Sequence, residues 1–346
     1  MTEHRIHHPK ACTERLYLPR STGGRGLADL NILHRRQVNQ LKKFFHRKKD
    51  TSTLHKLACQ SDRYLAVDLR KNEIKEIPTL DEVKEKWLSK RLHGKYPSSL
   101  KTAGSESTNW LVKGQLFAET EGFITAIQDE SIATRNYKKY VQKIRIDDDK
   151  CRMCGRVPET IEHVTAGCQT LAPSEYTKRH NLTANIVHQE LAMLCNLGEG
   201  KYSPYFKYIP APVLENENYR LYWDTPIVTD KPIASNRPEI ILLDKANKKA
   251  YFIDISHPSD HNLEQKEREK INKYYDLAEE YKKILTLKAV HVIPVIISAT
   301  GLVTKKFAGY LERLNITNKT IVTKMQKSVI LETCKMVRKT LNIPET

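Results

Sequence analysis

The sequence predicts a mixed α+β protein, in which a helical, basic N-terminal region precedes a compact Cys/His segment and a C-terminal region of strands and helices. Apolar residues recur at helical spacing in residues 27–45, and four metal-ligand side chains fall within residues 151–168. Short apolar runs separated by polar turns begin at Val213. A chain of 346 residues can form two or three small domains. We expect these domains at 1–145, 146–200 and 213–346.

The N-terminal region is dominated by positive charge. Its first 50 residues contain 12 Lys and Arg but 4 Asp and Glu, and the glycines of residues 23–26 predict a turn. A helix is predicted over Leu27–Phe45, with basic side chains on the face opposite its apolar residues. Further helices are predicted at Leu80–His93 and Leu111–Tyr140, separated by a loop at Gly94–Asn109.

The whole chain carries a formal net charge of +17, which favours binding to polyanions. Nucleic acid is the commonest polyanion, and these residues leave the choice between DNA and RNA open. A membrane surface is the alternative, but no apolar run approaches the roughly 18 residues that a spanning helix needs. The polar, His-rich N-terminus does not resemble a secretory signal, so we expect an intracellular protein. The residues expected to contact nucleic acid are Arg15, Arg20, Arg25, Arg35, Arg36, Lys42 and Lys43.

The cysteines indicate a metal rather than disulfides, because seven thiols spread over a long basic chain do not suggest a disulfide framework. Their cluster has the form Cys151-x2-Cys154-x8-His163-x4-Cys168. Three thiolates and one imidazole are the tetrahedral ligands of structural zinc, and Gly155 suits the tight turn after the first pair. Since four protein ligands leave no position for water, the predicted zinc is structural. Free core cysteines beside an unrelated histidine are the alternative.

The segment after this motif predicts a helix at Glu175–Leu197, in which His180 and His188 are interpreted as ordinary helix residues. Prolines within residues 204–212 predict a linker or an extended crossing. Strands and helices then alternate. The expected strands are Leu221–Trp223, Ile227–Thr229, Glu239–Leu243, Ala250–Ser256 and Val290–Ser298. The expected helices are Asn262–Leu285, Thr304–Arg313 and Asn318–Leu341.

Two acidic residues, Glu239 and Asp254, mark the predicted strands as a candidate site. The polar segment 245–249 joins their strands, which predicts a hairpin that brings both carboxylates to neighbouring positions. Asp254 interrupts an apolar strand, and a buried carboxylate is costly unless it is paired or binds a metal. Two adjacent carboxylates suit Mg²⁺, which prefers oxygen ligands. A core aspartate paired with Arg237 or His257 is the alternative.

The helix predicted at Asn262–Leu285 adds basic side chains on one face. They form a stripe with an asparagine: Asn262, Lys266, Lys270 and Lys273. Carboxylate-held Mg²⁺ can neutralise a phosphate and activate water, and a nearby lysine can orient that water or stabilise developing charge. A solvated helix face is the alternative. A hydrolase triad of Asp254, Ser256 and His257 is not expected, because side chains so close in sequence cannot easily form one.

Together these residues resemble the restriction-like endonuclease region of site-specific non-LTR retrotransposons. That family has a Cys-Cys-His-Cys knuckle, a Pro-Asp dipeptide, a second Asp on the next strand, and a lysine displaced onto the following helix with a Lys-Tyr pair. Here Pro238-Glu239 occupies the Pro-Asp position, Asp254 matches the second acid, and Glu269–Tyr274 matches the helix segment. Residues 14–20 and 23–27 resemble the segment after the polymerase palm, near the thumb.

The resemblance implies a C-terminal PD-(D/E)XK-type α/β domain that nicks target DNA, with zinc in the knuckle and Mg²⁺ at the acids. Glu239 and Asp254 are implied as the magnesium ligands. Lys270 is the first candidate for catalytic base or charge stabiliser, and Lys273 is the second. Asp224 is a weaker candidate for a third acid. Target DNA and element RNA are the implied partners, and a nuclear location is implied as well.

The chain departs from the family in two ways. Glu239 is one methylene longer than the family's Asp, and no acidic pair stands in a Tyr-x-Asp-Asp setting. Reverse-transcriptase activity is therefore not expected, and a fragment, a truncated element copy and a separately expressed remnant all fit. The alternatives to an endonuclease are a nucleic-acid-binding remnant without catalysis and a structural partner of a separate polymerase. The oligomeric state stays open.

Overall fold

The computed structural model describes residue 3 and residues 6–62, 67–198 and 200–344. Within these residues it shows helices together with a five-stranded sheet, which confirms the predicted mixture of α and β structure. The chain forms two compact units, one of residues 12–89 and the other of residues 1–11 and 90–346. This division differs from the predicted domain limits, since residues 90–145 share a unit with the Cys/His motif and the sheet.

The smaller unit is helical. Its described helices are α1 (Glu14–Tyr17), α2 (Leu30–Lys48), α3 (Thr53–Ser61) and α4 (Leu80–Leu88). The helix α2 begins later than predicted because Asp29 caps it, and the Asp29 carboxylate accepts hydrogen bonds from the amides of Asn31 and Ile32. A capping box between Thr79 and Glu82 likewise opens α4.

The larger unit contains further helices around the sheet. They are α5 (Lys95–Thr102), α6 (Asn109–Lys113), α7 (Ala118–Gln128), α8 (Arg135–Tyr140), α9 (Thr177–Leu194), α10 (Leu263–Lys273), α11 (Tyr275–Ile284), α12 (Phe307–Arg313) and α13 (Lys319–Leu341). Two predictions are wrong here: α5 lies within the predicted loop 94–109, and the predicted helix 111–140 is three separate helices. Gln115 and Glu130 have φ of 49° and 52°, outside the range of a right-handed helix. Trp110 shares a buried apolar cluster with α13, which ties these helices to the C-terminus.

The sheet is built from five consecutive strands. They are β1 (Val213–Glu215), β2 (Tyr219–Trp223), β3 (Ile240–Asp244), β4 (Lys249–Ser256) and β5 (Ala289–Ile296). Strands β1 to β4 form antiparallel pairs, and β5 runs parallel to β4 after a crossover through α10 and α11. The strand predicted at 227–229 lies outside the sheet, because the Ile227 amide bonds to the carbonyl of Asn236 within a loop.

Alternate residues of β4 pack on opposite faces of the sheet. Ile253 and Ile255 belong to a buried cluster that includes side chains of α9, α12 and α13. Phe252 belongs to a second cluster on the other face, together with Tyr274 and residues of α11. Asp254 has the same parity as Phe252 and therefore points towards the face that α10 and α11 cover.

The single helix predicted over Asn262–Leu285 is also wrong, because Tyr274 interrupts it with φ −107° and ψ 9°. Tyr274 is buried, and its hydroxyl donates to the carbonyl of Arg237 at 3.2 Å. Neither glycine nor proline marks the break, so the cause is this tertiary contact and not a local breaker. The contact places the end of α10, which carries Lys270 and Lys273, beside the start of β3.

Candidate metal centre and carboxylate site

The Cys/His motif of residues 151–168, called the knuckle from here on, closes into a cluster. The ligand atoms of Cys151, Cys154, His163 and Cys168 all lie within 4.8 Å of one another. The Cys151 and Cys168 sulfurs are 3.9 Å apart, and the Cys154 sulfur lies 3.4 Å from His163 Nε2. Tetrahedral zinc, with Zn–S bonds of about 2.3 Å and Zn–N bonds of about 2.0 Å, would hold such pairs roughly 3.8 and 3.5 Å apart. The cluster could therefore bind zinc.

The first half of the knuckle is a tight turn braced by a buried ion pair. Gly155 has φ of 63° and donates to the carbonyl of Cys151 at 2.7 Å, which forms the turn between the first two thiols. The fully buried Glu159 carboxylate accepts hydrogen bonds from the amide and guanidinium of Arg152. Burial alone would raise the pKa of Glu159, but the bonds to Arg152 outweigh it and lower that pKa. The turn is thus held by charge-assisted bonds as well as by its thiols.

The second half of the knuckle is held by Tyr176, which directly precedes α9. The Tyr176 hydroxyl accepts a hydrogen bond from the Cys168 amide at 2.9 Å and faces the carbonyls of His163 and Val164 at 3.1 and 2.9 Å. Burial raises the pKa of Tyr176 to about 12, so the phenol remains a donor at neutral pH. The chain path into α9 is therefore set by the same residues that form the cluster.

The two predicted acids, Glu239 and Asp254, lie opposite each other. The register pairs Ile240 with Ile253; Glu239 directly precedes Ile240, Asp254 directly follows Ile253, and the two side chains share a hydrogen bond. Directly opposed residues in an antiparallel pair have Cβ atoms about 4.5–5.5 Å apart. The Asp254 side chain is fully buried, and Glu239 Oε2 accepts a hydrogen bond from the Ile255 amide at 2.8 Å.

The predicted lysines of α10 face this pair. Lys270 Nζ lies 2.9 Å from both carboxylate oxygens of Asp254, and Lys273 Nζ lies 3.6 Å from one of them. Lys273 also donates to the Tyr274 hydroxyl at 2.7 Å. The third lysine of the predicted stripe, Lys266, instead pairs with Glu269 at the exposed surface. Packing therefore brings Lys270 and Lys273, but not the whole stripe, to the acids.

The surroundings shift the pKa values of the two acids in opposite directions. Burial raises the pKa of Glu239, and its hydrogen bond with Asp254 raises it further. Burial also opposes ionisation of Asp254, but the bond from Glu239 and the charge of Lys270 outweigh it and lower the pKa of Asp254. Glu239 is therefore the more easily protonated of the two acids, and Asp254 the more easily ionised.

One residue of this site, His180 on α9, was missed by sequence reasoning. Its Nε2 lies 2.9 Å from Glu239 Oε1, and its Nδ1 lies 3.1 Å from the Asn181 side-chain oxygen. Burial lowers the pKa of His180, but the bond to Glu239 outweighs that effect and raises it. No local pattern distinguishes His180 from other helix histidines, because its partner lies 59 residues away.

Three sequence interpretations near the acids need correction. Asp254 pairs with Lys270 and not with Arg237 or His257. Arg237 instead pairs with Asp224 at 2.8 Å in an exposed contact, and His257 Nδ1 bonds to the Ile297 carbonyl. Among the described residues, only the knuckle groups three or more acidic, Cys or His ligand atoms within 4.8 Å, so Asp224 does not join the acids as a third ligand.

The residues of the smaller unit that were predicted to contact nucleic acid differ in solvent exposure: some are buried and others are exposed. Arg15, Arg25 and Lys42 are buried, which corrects their assignment as phosphate contacts. Arg15 Nε donates to the Gly23 carbonyl and its guanidinium lies over Trp87, while Lys42 Nζ donates to the Glu73 carbonyl. The candidates that keep solvent exposure are Arg20, which is half-buried, and Arg35, Arg36 and Lys43.

Comparison with known proteins adds no family to this description. No family model matches the chain, and no curated protein matches it. Along the described part of the chain, no helix is both long and apolar enough to cross a membrane.

Proposed function

We propose that the chain is a Mg²⁺-dependent endonuclease that cleaves DNA, as its resemblance to the restriction-like region of non-LTR retrotransposons implies. The observation that carries this proposal is the buried Asp254 carboxylate, which faces Glu239 across two strands and is contacted by Lys270 at 2.9 Å. A carboxylate pair beside an ammonium group has the composition that metal-assisted phosphodiester hydrolysis needs.

The carboxylate oxygens could ligate a hard cation in exchange for some of their present contacts. Glu239 accepts from His180 and the Ile255 amide, Asp254 accepts from the Lys270 ammonium, and the two acids share a further hydrogen bond. An ionised carboxylate offers about four lone-pair sites, so a cation that replaced the proton shared by the two acids would find electron pairs on both. Mg²⁺ commonly takes one or two protein carboxylates and completes its shell with water and phosphate oxygens. When bound, it would neutralise phosphate charge and lower the pKa of a coordinated water.

Residues of α10 and β4 would stabilise the charge of the phosphate and orient the attacking water. Asp254 holds the Lys270 ammonium beside the acid pair, where that group would donate to a phosphate oxygen or orient the attacking water. Lys273 is the more exposed of the two lysines; it donates to the Tyr274 hydroxyl and adds a second positive charge at 3.6 Å from Asp254. Lys270 is therefore the principal candidate for charge stabilisation, and Lys273 is the second.

Charge and shape support a nucleic acid as the substrate. The net charge of +17 attracts polyanions, and the exposed cations of α2 add to this attraction. A groove of about 510 Å³ lies between the knuckle and α10, and its lining includes Lys266 as well as the acidic Glu162 and Glu269. Lys270 follows Lys266 by one helical turn, so a strand that occupies this groove would lead towards the carboxylates.

The test is a nicking assay on supercoiled DNA with the zinc-loaded chain and Mg²⁺. We expect cleavage by the wild type and a loss of at least about 100-fold in Asp254→Ala, with DNA affinity retained. Asp224→Ala, which removes a nearby exposed acid, is the matched control and should cleave normally. Absence of cleavage by the wild type, or equal cleavage by Asp254→Ala, would overturn the endonuclease proposal.

A nucleic-acid-binding protein without catalysis is the second candidate. It is favoured by the fact that Lys270 and Lys273 already neutralise Asp254, while Glu239 is satisfied by His180 and a backbone amide. Salt-sensitive binding of DNA or RNA, unchanged in Asp254→Ala and without cleavage, is the result expected for this function.

A further inference from the structure

The helix that leaves the knuckle, α9, delivers a side chain to the carboxylate site. His180 lies in its first turns, and the imidazole Nε2 contacts Glu239 Oε1 at 2.9 Å. The other Glu239 oxygen accepts the Ile255 amide. Both oxygens of Glu239 are therefore held by hydrogen bonds, one to His180 of α9 and one to the Ile255 amide of β4.

The position of His180 is fixed by its neighbours on α9. The adjacent Arg179 is buried, donates to the Thr333 hydroxyl of α13 at 2.9 Å, and lies over the ring of Tyr176. Tyr176 in turn holds the Cys168 amide of the knuckle. The imidazole thus projects from a helix that is anchored at the knuckle and along the C-terminal helix.

His180 does not have the placement of a third metal ligand. In the described part of the chain, the acids and His180 do not form a group whose ligand atoms all lie within 4.8 Å of one another. Its two nitrogens face oxygen atoms of Glu239 and Asn181. A ring in that setting donates hydrogen bonds, so its effect on a cation passes through Glu239.

We infer that His180 is a positioning residue for Glu239, through which the knuckle helix sets the geometry of the cation site. Glu239 has one more rotatable bond than an aspartate. Its carboxylate can therefore adopt more orientations, and only some of them suit cation binding. The bond from His180 selects one of them and keeps the remaining electron pairs directed towards Asp254. This inference rests on the proposed endonuclease function.

The test measures Mn²⁺ binding to the zinc-loaded full chain by calorimetry, without DNA. Loss of an outer hydrogen-bond partner of a metal ligand typically costs about 10- to 100-fold in affinity. We therefore expect His180→Ala to weaken Mn²⁺ binding by at least about 10-fold. His180→Gln, whose amide can still donate, should recover part of the loss. Lys178→Ala changes an exposed residue of the same helix and should bind as the wild type does.

Zinc content and melting temperature, measured on each variant, show whether the knuckle and α9 remain folded. Asp254→Asn identifies the heat that belongs to the carboxylate site. If Asp254→Asn weakens Mn²⁺ binding and a folded His180→Ala does not, the positioning role is overturned and the endonuclease proposal stands. If His180→Ala weakens binding but the wild type does not nick DNA, the endonuclease proposal fails and the positioning role stands. If neither substitution changes binding, both are overturned.

Discussion

The knuckle and the carboxylate site are assembled in opposite ways. The knuckle draws its four ligand residues from 18 consecutive positions, 151–168, and a turn at Gly155 is enough to bring the first two thiols together. The carboxylate site draws its side chains from α9, the residue before β3, β4 and α10, and its bonds join residues as far as 59 positions apart. A local site can form wherever its segment folds, whereas the second site exists only if several elements pack correctly.

The largest effect is expected from loss of zinc. Cys168→Ser replaces a fully buried thiol of the cluster, and structural zinc contributes on the order of 10 kcal/mol to folding in zinc-finger peptides. We expect the variant to lose zinc and its melting temperature to fall by about 10 °C or more. Because Tyr176 links the knuckle to α9, Mn²⁺ binding at the acids should fall with it. The control, Cys59→Ser, lies outside the cluster and should keep zinc. If Cys168→Ser loses zinc but keeps its stability and its Mn²⁺ binding, the carboxylate site does not depend on the knuckle.

The next effect tests the carboxylate site by itself. Lys270→Met leaves the buried Asp254 without its closest cation, and breaking a buried ion pair is strongly destabilising. Because Lys273 remains at 3.6 Å, we expect a loss of about 2–3 kcal/mol in the free energy of unfolding, measured in urea. The double variant with Asp254→Asn should recover most of that loss while zinc content stays unchanged. Equal destabilisation of the single and double variants would show that the pair is not the cause.

The stability of the protein should depend on pH through a buried histidine of α9, the helix that runs from the knuckle to the carboxylate site. His188 is fully buried, its Nδ1 lies 2.8 Å from the Tyr208 hydroxyl, and burial lowers its pKa to about 4. Because the folded pKa lies below the unfolded value of about 6.5, the contribution of His188 is present above pH 6.5 and is lost as the pH falls towards 4.

Unfolding in urea at pH 7 and pH 5 measures this contribution. The His188 ring should account for about 2 kcal/mol of the stability lost between these two values. His188→Phe should lose correspondingly less stability over the same interval, whereas His34→Gln, an exposed substitution, should behave as the wild type. An unchanged pH dependence in His188→Phe would contradict burial of a neutral ring.

The smallest effect lies outside both sites. Arg35 and Arg36 are exposed on α2, and each phosphate contact contributes close to one unit to the salt dependence of binding. Replacing both by Ala should weaken DNA binding and reduce the slope of log K against log salt by up to about 2, measured by fluorescence anisotropy. The buried Lys42→Ala should destabilise the smaller unit without that change in slope. An identical slope for wild type and double variant would exclude α2 from the contact.

Features built from residues close in sequence could be predicted, whereas features built from distant residues could not. The hairpin that carries Glu239 and Asp254 was predictable because two apolar strands and a polar turn lie within one short segment. The break at Tyr274 was not, since its cause is a hydrogen bond to Arg237, 37 residues away. The burial of Arg15, with its guanidinium over the ring of Trp87, was equally hidden, because a basic residue in a basic segment normally faces solvent.

The sequence by itself determined the Cys/His cluster of the knuckle, the neighbouring acids of the hairpin and the strong positive charge. Each of these depends on residues that are close along the chain or on simple composition. Only the tertiary structure decided that Lys270 and not Lys266 reaches Asp254, and that His180 reaches Glu239. The physical reason is that contacts between separate elements depend on how apolar faces pack, and packing leaves no mark on the spacing of the polar residues that it brings together.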